Sequence, residues 1–263
     1  MLSIDVGSAS HTGLIRERNE DSAITAGGVF AVADGMGGHA AGDMASRLAV
    51  ASLMRLSANP DLQSQDIIAA VAQANADILD AVAQSSDRFG MGTTLTGVSL
   101  LDPAGEPRWV VFNVGDSRVY RFAGNQLTQL TVDHSEVGEL LAAGRLTADE
   151  AKLYPRRNVV TRSLGTVPAP TPDVWVLEPV VGERFVICSD GLTLEVEESE
   201  IAEILRAEPE AQRAADRMVA QAVSAGGRDN VTVIVLAYGP PEEPERDQVT
   251  RPIEYPSALV EDE

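Results

Sequence analysis

Four aspartates in this chain stand where an apolar run meets a glycine or a turn. Asp34 closes the run Val29 to Ala33 and opens the loop Gly35-Met36-Gly37-Gly38-His39. Asp116 follows Arg108 to Gly115, and Asp190 follows Arg184 to Ser189 and precedes Gly191. Asp229 is the mirror case, standing just ahead of the run Val231 to Leu236. Apolar runs of this length read as buried strands. A carboxylate at the end of a buried strand is costly unless a cation or several donors compensate it. Any one of these acids could simply cap a turn. Four with the same placing can meet at one sheet edge, and an all-oxygen cluster suits Mg²⁺ or Mn²⁺ better than zinc.

Arg16 and Arg18 lie in a short, charge-dense stretch ahead of the Asp34 run. Beside a metal cluster, an arginine fork can hold a phosphate dianion through two parallel hydrogen bonds. Glu20 and Asp21 can add acceptors for water held by such a cluster. Other phosphate chemistries fail on spacing. Six residues after Cys188, where a cysteine phosphatase needs arginine, stands Leu194. There is no Walker loop and no Gly-x-Ser-x-Gly elbow. His11, His39 and His134 are too few and too scattered for a histidine-rich dimetal site. Water attacking at carboxylate-held metal is the chemistry that survives. EF-hand spacing is absent.

The elements that must position these residues follow from periodicity. Leu2, Ile4 and Val6 alternate with polar residues in a first strand that Gly7 is expected to close. Ala40 to Leu56 and a stretch of about six turns from Ser64 read as helices, the second with Ile67, Val71, Ile78 and Val82 on one face. Gly90 to Leu100 returns to strand, Asp102 to Gly105 signals a hairpin into the Asp116 strand, and Gly124-Asn125 marks another turn. From Asp133 to Arg162 the strand pattern stops. Glu136 to Ala143 and Thr147 to Lys152 read as short helices, a candidate flap over the metal edge. Arg156, Arg157 and Arg162 there form either a functional basic cluster or a solvated loop. Val174 to Val176 and the Asp190 strand follow, then helices Glu198 to Ala207 and Ala211 to Ser224. Strands, helices, then antiparallel strands make an α+β protein, not an alternating βαβ one.

The 263 residues are 44% hydrophobic, enough for a sizeable core. Lys plus Arg is 20 against 40 Asp plus Glu, a formal charge of −20. Such a chain is expected to avoid nucleic acid and anionic membranes. A single cysteine forbids an internal disulfide and fits a reducing cytoplasm. No signal peptide or bilayer-spanning run is visible. Residues 239–263 break composition, with five prolines and eight acids against two arginines, and are expected to form a disordered acidic tail.

Seven motifs in order resemble the metal-dependent Ser/Thr protein phosphatases of type 2C. They are Arg16…Asn19-Glu20-Asp21, Ala33-Asp34-Gly35-Met36-Gly37-Gly38-His39, Gly92-Thr93-Thr94, Asn113 to Arg118, Leu130 to Ser135, Ser189-Asp190-Gly191-Leu192 and Arg228 to Thr232. The glycine-rich form of the second motif and the short flap are similar to the bacterial branch. The resemblance implies a four-layer α-β-β-α sandwich of two antiparallel sheets, with residues 1–238 as the catalytic domain and a flap at about 135–162. It implies that Asp34 bridges two tightly bound Mn²⁺ or Mg²⁺ ions, that the Gly35 carbonyl ligates one, and that Asp190 and Asp229 complete the pair. Asp116 with Asp190 would hold a third, weaker ion. Arg16 would bind the substrate phosphate, Glu20 and Asp21 would steady metal-bound water, and Asn230 would support Asp229. His39 is a candidate general acid, since Met36 stands where animal members carry histidine. Substrates would be phosphorylated proteins, the opposing partner a Ser/Thr kinase, and the state a cytoplasmic monomer. The alternatives are a phosphoprotein-binding pseudophosphatase and a stress-signalling phosphatase dedicated to one partner.

Overall fold

The computed structural model describes residues 3–37, 41–57, 59, 62–101, 105–157 and 159–240. His39, Gly38, most of the Asp102 hairpin and the tail beyond 240 lie outside the described residues. Among the described residues, eleven strands and seven α-helices fall into two blocks. The first block is β1 Ser3–His11, β2 Asp21–Ala26, β3 Val29–Met36, α1 Ala41–Met54, α2 Ser64–Gln84, β4 Gly92–Thr93, β5 Leu95–Leu101 and β6 Arg108–Val114. The second is β7 Arg118–Ala123, β8 Gln126–Gln129, α3 Glu136–Ala142, α4 Ala148–Lys152, β9 Asp173–Leu177, β10 Arg184–Cys188, α5 Asp190–Thr193, α6 Glu198–Ala207, α7 Ala211–Ala225 and β11 Val231–Gly239.

Two antiparallel sheets result. One runs β1-β11-β10-β7-β8 and the other β2-β3-β5-β6-β9, with β4 pairing the end of β3. Period-two alternation divides each strand between two cores. Phe30 and Val32 of β3, Trp109 and Val111 of β6, Phe185 and Ile187 of β10, and Ile234 and Leu236 of β11 fill the space between the sheets. Their neighbours point outward. Val29, Ala31 and Ala33 meet Ala45, Ala49 and Leu53 of α1 and Ile67, Val71 and Ile78 of α2. Val186, Cys188, Val233 and Val235 meet Ile201 and Leu205 of α6 and Ala215 and Met218 of α7. The layers are therefore helix, sheet, sheet, helix, as the resemblance implies.

Trp109 bridges the sheets, its ring centroid 5.0 Å from Phe185 and 5.6 Å from Tyr238. Its indole N–H donates to Glu183 at 2.8 Å, and Glu183 also takes Arg121 Nε at 2.5 Å and the Val180 N–H at 2.7 Å. This is a buried carboxylate with every partner supplied.

Gly7 does not close the first strand. β1 runs through it to His11, paired along its whole length with β11. A Cβ at Gly7 would lie 2.2 Å from the Gln212 backbone nitrogen, so the glycine is there to admit the start of α7 against the sheet. Asp190 likewise sits not on the strand but one residue beyond Ser189, as the first residue of α5.

Candidate active site

Strand direction explains why distant acids become neighbours. β3 and β10 end, and β2 and β11 begin, at the same end of the sandwich. In register, Asp21 at the head of β2 lies opposite Asp34 near the end of β3. Cys188 at the end of β10 pairs with Val233 of β11, which puts Asp190 and Asp229 just past the paired ends. The turn after β6 carries Asp116 to the same edge. α1 closes in behind, where a Cβ on Gly35 would lie 2.2 Å from the Gly42 carbonyl oxygen. Only glycine allows that approach of helix to strand.

The acids feel one another. Asp21, Asp34, Asp116 and Asp190 are half-buried as residues. Loss of solvent pushes Asp21 and Asp116 up to about 7 and Asp190 up to about 6, and it raises Asp34 well above the carboxylate range. Neighbouring carboxylates add to the shift in each case: Asp190 and Asp229 act on Asp21, Asp21 and Asp190 on Asp34, Asp190 on Asp116, and Asp229 on Asp190. A hydrogen bond from Asp34 partly offsets the rise at Asp190. Desolvation also raises Glu20.

Hydrogen bonds fix the surrounding frame. Ser189 Oγ donates to Asp21 Oδ2 at 2.8 Å and accepts from the Thr232 N–H at 2.9 Å. Asp21 Oδ1 is sealed from solvent with no hydrogen-bond partner among the described residues. The Asp34 N–H donates to Thr94 Oγ1 at 2.9 Å, and Thr94 Oγ1 lies 2.8 Å from Ser117 Oγ, beside Asp116. Asn230 works mainly on the opposite loop. Its Nδ2 donates to the Thr12 and Arg18 carbonyls at 2.9 and 2.8 Å, and its Oδ1 accepts from the Glu20 N–H at 2.8 Å. What Asn230 gives Asp229 is its backbone N–H, 2.8 Å from Oδ1. The loop so stapled carries Arg16, whose Nη2 donates to Asp229 Oδ2 at 2.7 Å.

Among the described residues, no three His, Cys, Asp or Glu side chains converge tightly enough to chelate one ion as they stand. The donor set nevertheless fits a hard cation. It is all oxygen, its carboxylates repel one another, and it includes an orphaned oxygen on Asp21.

A cleft of about 860 Å³ leads away from Asp116 and Asp190. Val137 and Leu141 of α3 line one side, and Glu198 at the head of α6 lines the other. Of the three arginines of the intervening segment, Arg157 lines this cleft and the other two are paired with acids. Arg156 pairs with Glu136 at 2.8 Å and Arg162 with Asp173 at 2.7 Å. Thr94, Ser117 and Ser189 of this frame, Arg118 and Asp133 of the cleft lining, and His134, whose Nδ1 accepts from the Gly115 N–H, have no role that the sequence alone points to, although each lies within a quoted motif. Their placement inside those motifs was the available signal.

The chain matches the family model described as protein phosphatase 2C over residues 16–228. It is 40% identical over 230 residues to the serine/threonine protein phosphatase PstP of Mycobacterium tuberculosis, an overlap of 86% of this chain and 43% of PstP. The chain thus spans less than half the length of that relative. To the serine/threonine phosphatase stp of Listeria monocytogenes it is 36% identical over 243 residues, 85% of this chain and 92% of that protein. The catalytic domain of PstP, solved in complex with two manganese ions, superposes with a TM-score of 0.83 at 36% identity, covering 91% of this chain and all of that one. On sequence and fold together, the chain belongs to the metal-dependent protein phosphatase 2C family, in its bacterial branch.

Proposed function

We propose that this chain hydrolyses phosphoserine and phosphothreonine esters in proteins, with Mn²⁺ or Mg²⁺ as cofactor. Asp34, the Gly35 carbonyl, Asp190 and Asp229 hold two ions, and Asp116 with Asp190 holds a third more weakly. The observation that carries this reading is the gathering of mutually repelling carboxylates, one with an orphaned oxygen, beside Arg16 at one end of the sandwich. The manganese ions in the PstP structure and the phosphatase names of the relatives support it. Cations bound there supply Lewis acidity and a water of lowered pKa.

The chain's own residues do the rest. Arg16 exchanges Asp229 for the entering phosphate and offsets its charge in an acidic protein. Glu20 and Asp21 orient the attacking water, with Asp21 held by Ser189. His39 lies outside the described residues and is the candidate proton donor to the departing serine or threonine oxygen.

Residues 1–238 form the catalytic domain and about 135–162 the flap that selects substrate; the acidic, proline-rich stretch expected to be a tail lies, beyond residue 240, outside the described residues. The opposing partner is a Ser/Thr kinase, and the setting is a cytoplasmic monomer. Among the described residues no helix is long and apolar enough to cross a membrane. The test is phosphate release from a phosphothreonine peptide by the full chain in Mn²⁺. Release that is lost in Asp34→Ala supports the reading. Binding of the peptide without release, in wild type, would favour a phosphoprotein-binding role.

A further inference from the structure

His134 joins the root of the α3–α4 segment to the loop that carries Asp116. The residue is 6% exposed. Its Nδ1 accepts from the Gly115 N–H at 3.0 Å, and its own backbone N–H donates to the Gly115 carbonyl at 2.9 Å. Both polar groups of the residue before Asp116 are thereby held by one side chain and its own backbone. Because Nδ1 accepts, Nε2 carries the proton, and it donates to Asp173 Oδ2 at 3.1 Å. Asp173 Oδ1 in turn takes Arg162 Nη1 at 2.7 Å, at the far end of the segment.

Backbone contacts bind the same two ends. The Thr161 N–H donates to the His134 carbonyl at 2.8 Å, the Glu136 N–H donates to the Val159 carbonyl at 2.9 Å, and Ser135 bridges to Val160. The chain entering the α3–α4 segment and the chain leaving it therefore close on His134. A displacement of either end moves the ring, and the ring is what holds the Gly115 N–H, while the Gly115 carbonyl also accepts from Asn113 Nδ2 at 3.0 Å.

We propose that His134 is a positioning residue that couples the α3–α4 segment to Asp116, so that the segment's placement and the binding of the weaker metal ion favour one another. This rests on the reading of Asp116 as a ligand of that ion. The ring touches no reacting group; it acts through the Gly115-Asp116 backbone. Coupling of this kind is reciprocal: a segment held in place readies Asp116, and an ion on Asp116 holds the segment in place.

The test uses the full chain, with Mn²⁺ binding read by titration calorimetry. Tryptic cleavage after the exposed Arg157 is followed with and without Mn²⁺. Wild type is expected to bind a weaker Mn²⁺ and to be cut more slowly when it is bound. Asp116→Ala loses both effects. His134→Ala weakens that binding event about tenfold, the worth of one lost hydrogen bond in a buried site, and loses the protection. Combined with Asp116→Ala it adds nothing, because the two act through one path.

His134→Asn guards against a fold defect, since Asn Oδ1 lies as many bonds from Cα as His Nδ1 and can accept from Gly115. It is expected to keep the weaker affinity within about twofold, yet lose protection with the Asp173 contact. If His134→Ala and His134→Asn both bind and protect like wild type while Asp116→Ala does not, the coupling is overturned. If Asp116→Ala itself binds like wild type, the reading of Asp116 as a ligand fails, and the coupling with it.

Discussion

Arg16 and Asp229 are paired, Nη2 to Oδ2, at 2.7 Å across 213 residues of sequence. The pair links the candidate phosphate anchor to a candidate metal ligand, and it closes the mouth of the acidic cluster with the cluster's own counter-charge. The Asp229 hydrogen bond, followed by the nearby carboxylates, raises the guanidinium pKa further above its ordinary value. An arginine held this way is charged and aimed before substrate arrives.

Replacement of Arg16 by alanine is therefore expected to raise KM for a phosphopeptide by about tenfold or more, the worth of a charge-assisted fork. Lysine should restore part of that loss, since it keeps the charge without the fork. Mn²⁺ affinity should be no weaker in either variant, because Asp229 is released from a competitor. Steady-state kinetics with a Mn²⁺ titration checks both halves.

The acidic cluster makes a prediction about pH. Asp21 and Asp116 titrate near 7 and Asp190 near 6 in the fold, with Asp34 also raised, mainly through loss of solvent and then through one another. Unfolded, such acids titrate near 3.9. Between those values the native state binds more protons than the unfolded state, so stability falls as pH rises. After EDTA treatment, the melting temperature should drop from pH 5 to pH 8. Mn²⁺ at pH 8 should recover it, by neutralising the repulsion and by binding only the folded state. Scanning calorimetry at both pH values, with and without Mn²⁺, reads this directly.

Cys188 is fully buried at the end of β10, facing α6 and α7, and burial pushes its thiol up to about 12. It should resist a thiol reagent at pH 8 in the native protein and react at once in guanidinium. Rapid labelling of the folded chain would place it on an accessible surface.

Glu183 ties Trp109, Arg121 and the Val180 backbone together at the end of the sandwich remote from Asp190. Alanine there leaves a buried indole N–H and an arginine without their acceptor. A loss of about 2–4 kcal/mol of stability is expected. Turnover of the folded fraction at low temperature should stay near wild type. Urea unfolding together with activity below the transition separates the two.

The strand-end aspartates and both outer helical layers were legible because buried strands and amphipathic helices leave periodic marks. Ile67, Val71 and Ile78 of α2 are an example, all now packed on the sheet. What was not legible lay in contacts across hundreds of positions. Gly7 looked like a turn because a close helix approach leaves no local mark, and its partner Gln212 is 205 residues away. Arg156, Arg157 and Arg162 read from sequence as either a basic cluster or a solvated loop, and the acids that hold two of them, Glu136 and Asp173, lie on different elements. His134 looked like an isolated histidine. Its partners Gly115 and Asp173 stand 19 and 39 residues off, one in the turn after β6 and one at the head of β9, and periodicity does not specify that β6 pairs with β9.

The most direct measurement is p-nitrophenyl phosphate hydrolysis after EDTA treatment, with Mn²⁺ or Mg²⁺ restored, for wild type and Asp190→Ala. The account predicts no hydrolysis without metal, recovery in wild type when metal returns, and loss of about 10²-fold or more in the variant. A folded wild-type chain that stays inactive with every divalent ion, or that is equally active in EDTA, would contradict it.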